Sequence, residues 1–215
     1  MQPRVLLTGF EPFGGAAVNP SWQAVALVAA EPPPGIDVTA LELECVFGRS
    51  VSQLRDAINA GEYDLILCVG QAGGRADISV ERVAINLDDA RIPDNAGNQP
   101  VDSQIVAGGP DAYFAPLPVK ACVAAVRGIG LPASVSHTAG TFVCNHVFYG
   151  LAHYLATERS GARGGFVHIP YAPEQVTAEA APSMAVASAA DGLRAILTAA
   201  LETAEDLCVP EGTTH

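Results

Sequence analysis

Residues 134–171 read SVSHTAGTFVCNHVFYGLAHYLATERSGARGGFVHIPY, and three patterns follow one another within them. A short β-branched run, Ser134 to His137, leads into a turn holding Gly140. Apolar residues then recur at helical spacing from Asn145 to Thr157, and a second short apolar run, Phe166 to Ile169, stops before Pro170. Strand, helix and strand in that order predict a crossover unit. Outward from this stretch the alternation continues. Val5–Thr8, Val38–Leu43, Tyr63–Val69 and Ile78–Leu87 read as strands, and Ser21–Ala30, Ser50–Ala60, Pro118–Arg127 and Ser183–Ala204 as helices. The expected fold is therefore α/β, an α/β/α sandwich around a mostly parallel, mixed central sheet. From Ile78 to Tyr113 the alternation breaks around Asp88, Asp89, Pro93, Asp94, Gly97 and Pro100, which predicts an antiparallel excursion followed by an ordered loop.

A chain of 215 residues, 49% of them hydrophobic, is long enough for one substantial core. With no linker, repeat or low-complexity stretch, it reads as a single domain, 1–215, with 209–215 as a frayed polar tail. Eleven Lys and Arg, scattered among 23 Asp and Glu, give a net charge of −12, so neither nucleic acid nor an anionic membrane is an expected partner. Only 16% of residues are charged, which points to a surface partly covered by further copies of the chain, a homo-oligomer such as a tetramer. No apolar run reaches the roughly eighteen residues that span a bilayer. The segment MQPRVLLTGF has neither a cationic leader nor a small-residue cleavage site, and a cytoplasmic protein is expected. Cys45, Cys68, Cys122, Cys144 and Cys208 are odd in number and lack CxxC spacing, which fits free thiols rather than disulfides or a zinc site.

Four segments hold the residue types that carry chemistry. In GFEPFGGAAVNPSW, Gly9 to Trp22, a strand gives way to two aromatics among glycines before a helix entry at Asn19, Pro20 and Ser21. Phe10 and Phe13 either cap the core there or supply contact area to a ligand at the carboxyl end of the sheet. The glycines match neither GxGxxG nor a P-loop. In GQAGGRADISVERVAIN, Gly70 to Asn86, Glu81 stands on a strand that otherwise reads as buried. A buried carboxylate needs a partner: Arg82, Arg91 or a backbone amide in one reading, an imidazole in the other. In the third segment Cys144 stands where the helical pattern begins, and free amides at a helix N-terminus favour a thiolate and can hold an oxyanion. Cys68 and Cys122 read as buried structural thiols, and His146 and His153 as packing or surface residues. The fourth segment, GGFVHIPY, places His168 near the end of a buried strand. A crossover between the strands before Cys144 and around His168 brings the two toward one sheet edge, where Glu81 orients the imidazole.

Taken together, FEPFGG with VNPSW, GQAGGR with ERVAIN, DDARIPDNAGNQP, SHTAGTFVCNHVFYG and FVHIPY resemble the pyroglutamyl peptidase I (pyrrolidone-carboxylate peptidase) family of cysteine peptidases, from about Leu6 to Tyr171. The resemblance implies a triad of Glu81, Cys144 and His168. It implies a pyrrolidone pocket walled by Phe10, Phe13, Ile92, Phe142 and Val143, with Asn19 and Gln71 reading the lactam. Arg91 and the Cys144 amide fall on the oxyanion side. Where many family members carry a pocket threonine, this chain has Cys45, within LECVFG. The implied reaction is hydrolysis of the bond after an N-terminal pyroglutamyl residue through a thioester on Cys144, with no cofactor and no metal. Peptides that begin with pyroglutamate are the implied partners. Two rivals stay open on such a fold: a phosphorylase or metal-dependent hydrolase, and a small-ligand binder without turnover.

Overall fold

The apolar run LILCVGQ becomes β3 (Leu65–Gln71), buried along its length except at Gln71, in a computed structural model that describes residues 2–159, 161–178 and 180–213. It is apolar throughout because both its faces are covered. On either side stand β1 (Arg4–Phe10) and β8 (Arg163–Ile169), both parallel to it. The full order is β2 (Asp37–Leu43), β1, β3, β8, β4 (Ile78–Glu81), β7 (Ala133–Ser136). Helices α1 (Pro20–Ala30), α3 (Val119–Gly128) and α5 (Val186–Glu202) cover one face, and α2 (Arg49–Ala60) and α4 (Val143–Thr157) the other. One apolar cluster lies under each layer. The second holds Phe10, Phe148, Tyr149 and Phe166, aromatics whose truncation costs about 3–5 kcal/mol each.

The mixed α/β sandwich stands as expected, but the crossover is differently built. β4 pairs antiparallel with β8, and β7 pairs parallel with β4, so β7 runs opposite to β8 with β4 between them. The chain from Ser136 to Val143 therefore turns back toward the carboxyl ends of β3 and β8 before α4 begins. Cys144 is the second residue of that helix, whose N-cap, Phe142, makes no side-chain cap bond.

The run from Ile78 to Leu87 is two strands, not one. After Glu81 the chain leaves the main sheet, and β5 (Val83–Ile85) pairs antiparallel with β6 (Ala112–Phe114), a strand the sequence pattern missed. Asn145 joins this small sheet to the start of α4, accepting from the Ile85 N–H at 3.1 Å and donating to the carbonyls of Ile85 and Leu87 at 2.9 and 3.0 Å. In the described part of the tail the Arg127 guanidinium donates to both Glu211 oxygens at 2.6 and 3.1 Å, while 214–215 lie outside the described residues. Among the described residues no helix is long and apolar enough to cross a membrane.

Candidate active site

Cys144, His168 and Glu81 converge on one face of the sheet. Gly70 stands opposite His168 in the β3–β8 register, and a methyl group built on Gly70 would lie 2.8 Å from the Cys144 sulfur. Only glycine lets the sulfur settle against β3 beside the imidazole, because any Cβ there collides with it. His168 and Phe166 share a face of β8, with ring centroids 4.9 Å apart. Ser79 stands opposite His168 in the β4–β8 pairing, so Glu81, two residues on and on the same face, reaches the ring diagonally. Its Oε1 lies 2.7 Å from His168 Nδ1.

Glu81 is fully buried, and its ion-pair partner is neither Arg82 nor Arg91. Arg75, from the Gly-rich turn after β3, donates through Nη1 to Glu81 Oε1 at 2.7 Å and through Nη2 to the Thr138 carbonyl at 2.9 Å. One guanidinium thus ties the carboxylate to the loop that delivers Cys144. Glu81 Oε2 is buried without a partner, since the Ser136 hydroxyl opposite it turns to the Thr138 carbonyl.

Protonation states follow from these contacts. Burial opposes ionisation of Glu81, but the hydrogen bond and charge of His168, then the nearby Ser136 hydroxyl and the Arg75 charge, outweigh it and hold the carboxyl below its usual range. An ionised Glu81 requires the hydrogen on His168 Nδ1, leaving Nε2 as the basic nitrogen. Burial lowers the His168 pKa, with Arg75 adding to the effect and Glu81 opposing it, so the ring rests neutral. The helix N-terminus alone favoured a Cys144 thiolate; the folded site does the reverse. Burial, then the neighbouring Cys45 and Glu81, push the thiol well above its ordinary value. At rest the site holds a thiol and a neutral imidazole on the same face of the sheet, with Gly70 next to both.

Phe13, Phe142 and Ile92 form the open apolar walls. Phe13 and Phe142 have ring centroids 6.0 Å apart, Phe47 backs Phe142 edge-on at 5.3 Å, and Ile92 borders the cavities on both sides. The smaller cavity, about 440 Å³, is lined by Arg91, Asp89, Ile92 and the Gly140–Phe142 turn. The larger, about 680 Å³, runs from Phe13 and the Gly14–Val18 loop past Gln71 to Tyr171 and Gln175. Phe10 and Val143 belong to the core beneath and expose almost nothing. Asn19 departs from its expected part in lactam reading. It caps α1: its Oδ1 accepts from the Ser21 amide and hydroxyl at 3.0 and 2.8 Å, and its Nδ2 donates to the Glu11 carbonyl at 3.0 Å. Cys45 is buried, and burial, then Glu11 and Asp94, push its thiol up to about 12.

Two further acids were not singled out by sequence. Glu11 Oε1 accepts from the Cys45 amide at 2.9 Å and from Asn95 Nδ2 at 2.8 Å. Asp94 Oδ2 accepts from the Phe47 amide at 2.9 Å, and its Oδ1 from the amides of Ala96 and Asn98. Together they latch the loop that carries Arg91 and Ile92 over Cys45 and Phe47. Both lie inside quoted motifs, FEPFGG and DDARIPDNAGNQP, but nothing in a linear sequence says which acid faces a loop amide.

Comparison with known proteins gives a consistent picture. A family model described as pyroglutamyl peptidase matches residues 3–203. The chain is 64% identical over 214 residues to a pyrrolidone-carboxylate peptidase of Streptomyces coelicolor, covering 99% of each chain. The fold superposes on the crystal structure of pyroglutamyl peptidase I from Bacillus amyloliquefaciens with a TM-score of 0.95 and 47% identity, over 98% of this chain and 100% of that one. It superposes on pyrrolidone carboxyl peptidase from Thermococcus litoralis with a TM-score of 0.93 and 33% identity, over 97% and 99%.

Proposed function

The chain belongs to the pyroglutamyl peptidase family, and from that membership we propose that it hydrolyses the bond after an N-terminal pyroglutamyl residue with Cys144 as nucleophile, His168 as base and Glu81 as the orienting carboxylate. The observation that carries the residue roles is the 2.7 Å contact of Glu81 with His168, on the face where the Cys144 sulfur rests against Gly70. As the sulfur attacks the carbonyl carbon, its proton passes to His168 Nε2, and Glu81 stabilises the imidazolium. The oxyanion is met by the Cys144 amide, in the first turn of α4 where amides lack helical partners, and by Arg91. Collapse expels the amine, which takes its proton from His168, and leaves a thioester. Water, deprotonated by the same ring, then releases pyroglutamate and free thiol.

The pyrrolidone ring sits between Phe13, Phe142 and Ile92, with Gln71 as its polar contact. A neutral lactam suits an apolar slot, whereas a prolyl group brings an ammonium and lacks the ring carbonyl. Pyroglutamyl fluorogenic amides are therefore cleaved on the order of a thousandfold better than prolyl amides. Equal rates on the two contradict the pocket, and no turnover of the pyroglutamyl amide contradicts the reading as a whole. Turnover that survives EDTA in phosphate-free buffer excludes the metal-dependent and phosphorolytic alternatives. The cytoplasm is the compartment of this reading, supported by five free cysteines. Homo-oligomer formation is supported by the low charged share and by exposed Val101, Phe114 and Ile129; sedimentation tests it.

A further inference from the structure

We propose that Gln175 is a specificity-determining residue that acts by fixing which end of the Gln71 amide faces the substrate ring; the inference rests on the reading of Gln71 as the lactam contact. Gln175 closes a 3-10 turn, Pro173–Gln175, after β8. Its Oε1 accepts from the Ala172 backbone N–H at 2.9 Å, a contact open only to the oxygen end of an amide. The nitrogen end is thereby aimed the other way, donating to Gln71 Oε1 at 2.9 Å and to the Val18 carbonyl at 3.3 Å. Both outer partners are backbone groups, so the orientation of Gln175 is determined from outside the site. With Gln71 Oε1 turned toward Gln175, the opposite end of the amide, the donor Nε2, is the end turned away from it. That nitrogen belongs to a side chain lining the cleft with Phe13 and Ile92, one residue beyond the glycine against which the Cys144 sulfur rests.

A pyrrolidone ring offers its carbonyl oxygen as an acceptor, and a prolyl ring has no such group. A donor held in place rewards the lactam. An amide free to rotate would present an acceptor part of the time, which meets the ring N–H but repels the ring carbonyl oxygen. The chain after β8 thus sets substrate choice without touching the reacting atoms.

The test uses the full-length enzyme, with kcat and KM on pyroglutamyl and prolyl fluorogenic amides for Gln175→Glu, Gln175→Ala, Gln71→Ala and the combinations with Gln71→Ala. Gln175→Glu keeps an acceptor for the Ala172 amide but sets its other oxygen against the Val18 carbonyl, so melting temperature is read beside the kinetics and a modest fall is expected. Its other oxygen only accepts, so Gln71 must turn Nε2 toward it and present Oε1 to the ring. Pyroglutamyl kcat/KM should then fall on the order of tenfold to a hundredfold, mainly through KM. Gln175→Ala, which leaves Gln71 free to choose, should fall less, and neither change should matter once Gln71 is Ala. Should the carboxylate unfold the turn, Gln175→Ala carries the test through its loss of pyroglutamyl-over-prolyl preference, present with Gln71 and absent without it. The proposal is overturned if a folded Gln175→Glu is no worse than Gln175→Ala, or if the losses persist in the Gln71→Ala background. If Gln71→Ala itself leaves the preference intact, the lactam reading of Gln71 fails, and the proposal falls with it by a separate result.

Discussion

Among the described residues, two buried carboxylate–histidine pairs are nearly identical at one end and different at the other. Glu81 Oε1 lies 2.7 Å from His168 Nδ1, and Asp88 Oδ2 lies 2.8 Å from His146 Nδ1. Each carboxylate leaves its second oxygen buried without a partner. The contrast is at the far ring nitrogen. His146 Nε2 accepts from the Gly48 amide at 2.9 Å, so its lone pair is occupied and the ring serves as a bridge between α4 and the entry to α2. His168 Nε2 accepts from no other group among the described residues and faces the side of the sheet where the Cys144 sulfur lies. A carboxylate beside a histidine therefore does not mark a candidate base; an unoccupied basic nitrogen on the face of the sheet where a thiol lies does.

The largest effects should come from the pair with the free nitrogen. Cys144→Ala and His168→Ala should each lower kcat by a thousandfold or more, on the order of what loss of a nucleophile or its base costs, with the melting temperature of Cys144→Ala close to that of the parent. A Cys144→Ala enzyme that still turns over substrate breaks the contrast at once. Glu81→Gln should keep more activity, losing roughly a hundredfold or more in kcat because the imidazolium loses its counter-charge; full activity would mean that Glu81 does not orient the ring.

His146→Ala should reverse the pattern. The Gly48 amide loses its acceptor and Asp88 its donor, so unfolding free energy should fall by about 1–3 kcal/mol, while kcat in the folded fraction changes only a few-fold. Chemical denaturation beside steady-state kinetics separates the two readouts, and a kcat loss like that of His168→Ala would erase the distinction between the pairs. Smallest is a displacement along the pH axis. Burial holds the His168 pKa below its usual 6.5, so the base stays neutral into mild acid and the acid limb of kcat/KM should lie below 6.5. Arg75→Met removes a positive charge that opposes imidazolium formation, and the limb should move up by a fraction of a unit. A limb above 6.5 in the parent, or a downward move in the variant, contradicts this protonation scheme.

Much of this was legible in the sequence for a physical reason. Central strands covered on both faces leave continuous apolar runs, and LILCVGQ and FVHI could hardly be anything else. The site residues stood out by conflict with their surroundings, as with Glu81 among Ile78, Val80 and Val83 and Cys144 at a helix start. Direction was less legible. Nothing in an apolar run says whether it lies parallel or antiparallel to its neighbour; the broken alternation after Ile78 announced an antiparallel excursion, but the reversal of β7 against β8 was missed. Partner choice was lost likewise: Arg75 stood in a quoted Gly-rich motif six residues before Glu81, yet Arg82 and Arg91 appeared equally able to reach it. Asn19 was legible as a helix cap from Asn19-Pro20-Ser21, and that local role is the one it takes, rather than lactam reading. The Cys144 thiol went wrong in sign because a helix start is a local feature, whereas the burial that raises the thiol is set by the whole fold.

Stoichiometric alkylation puts the contrast between the two histidines to the most direct test. One equivalent of iodoacetamide near neutral pH, applied to a Cys208→Ser background because Cys208 is exposed, should inactivate the enzyme and, on peptide mapping, label Cys144 alone, since burial pushes Cys45, Cys68 and Cys122 to about 12. The rate of labelling should collapse in His168→Ala and stay near the parent's in His146→Ala. Label on Cys45, or equal slowing by the two histidine variants, would contradict the claim that the free Nε2 of His168 is what makes this thiol react.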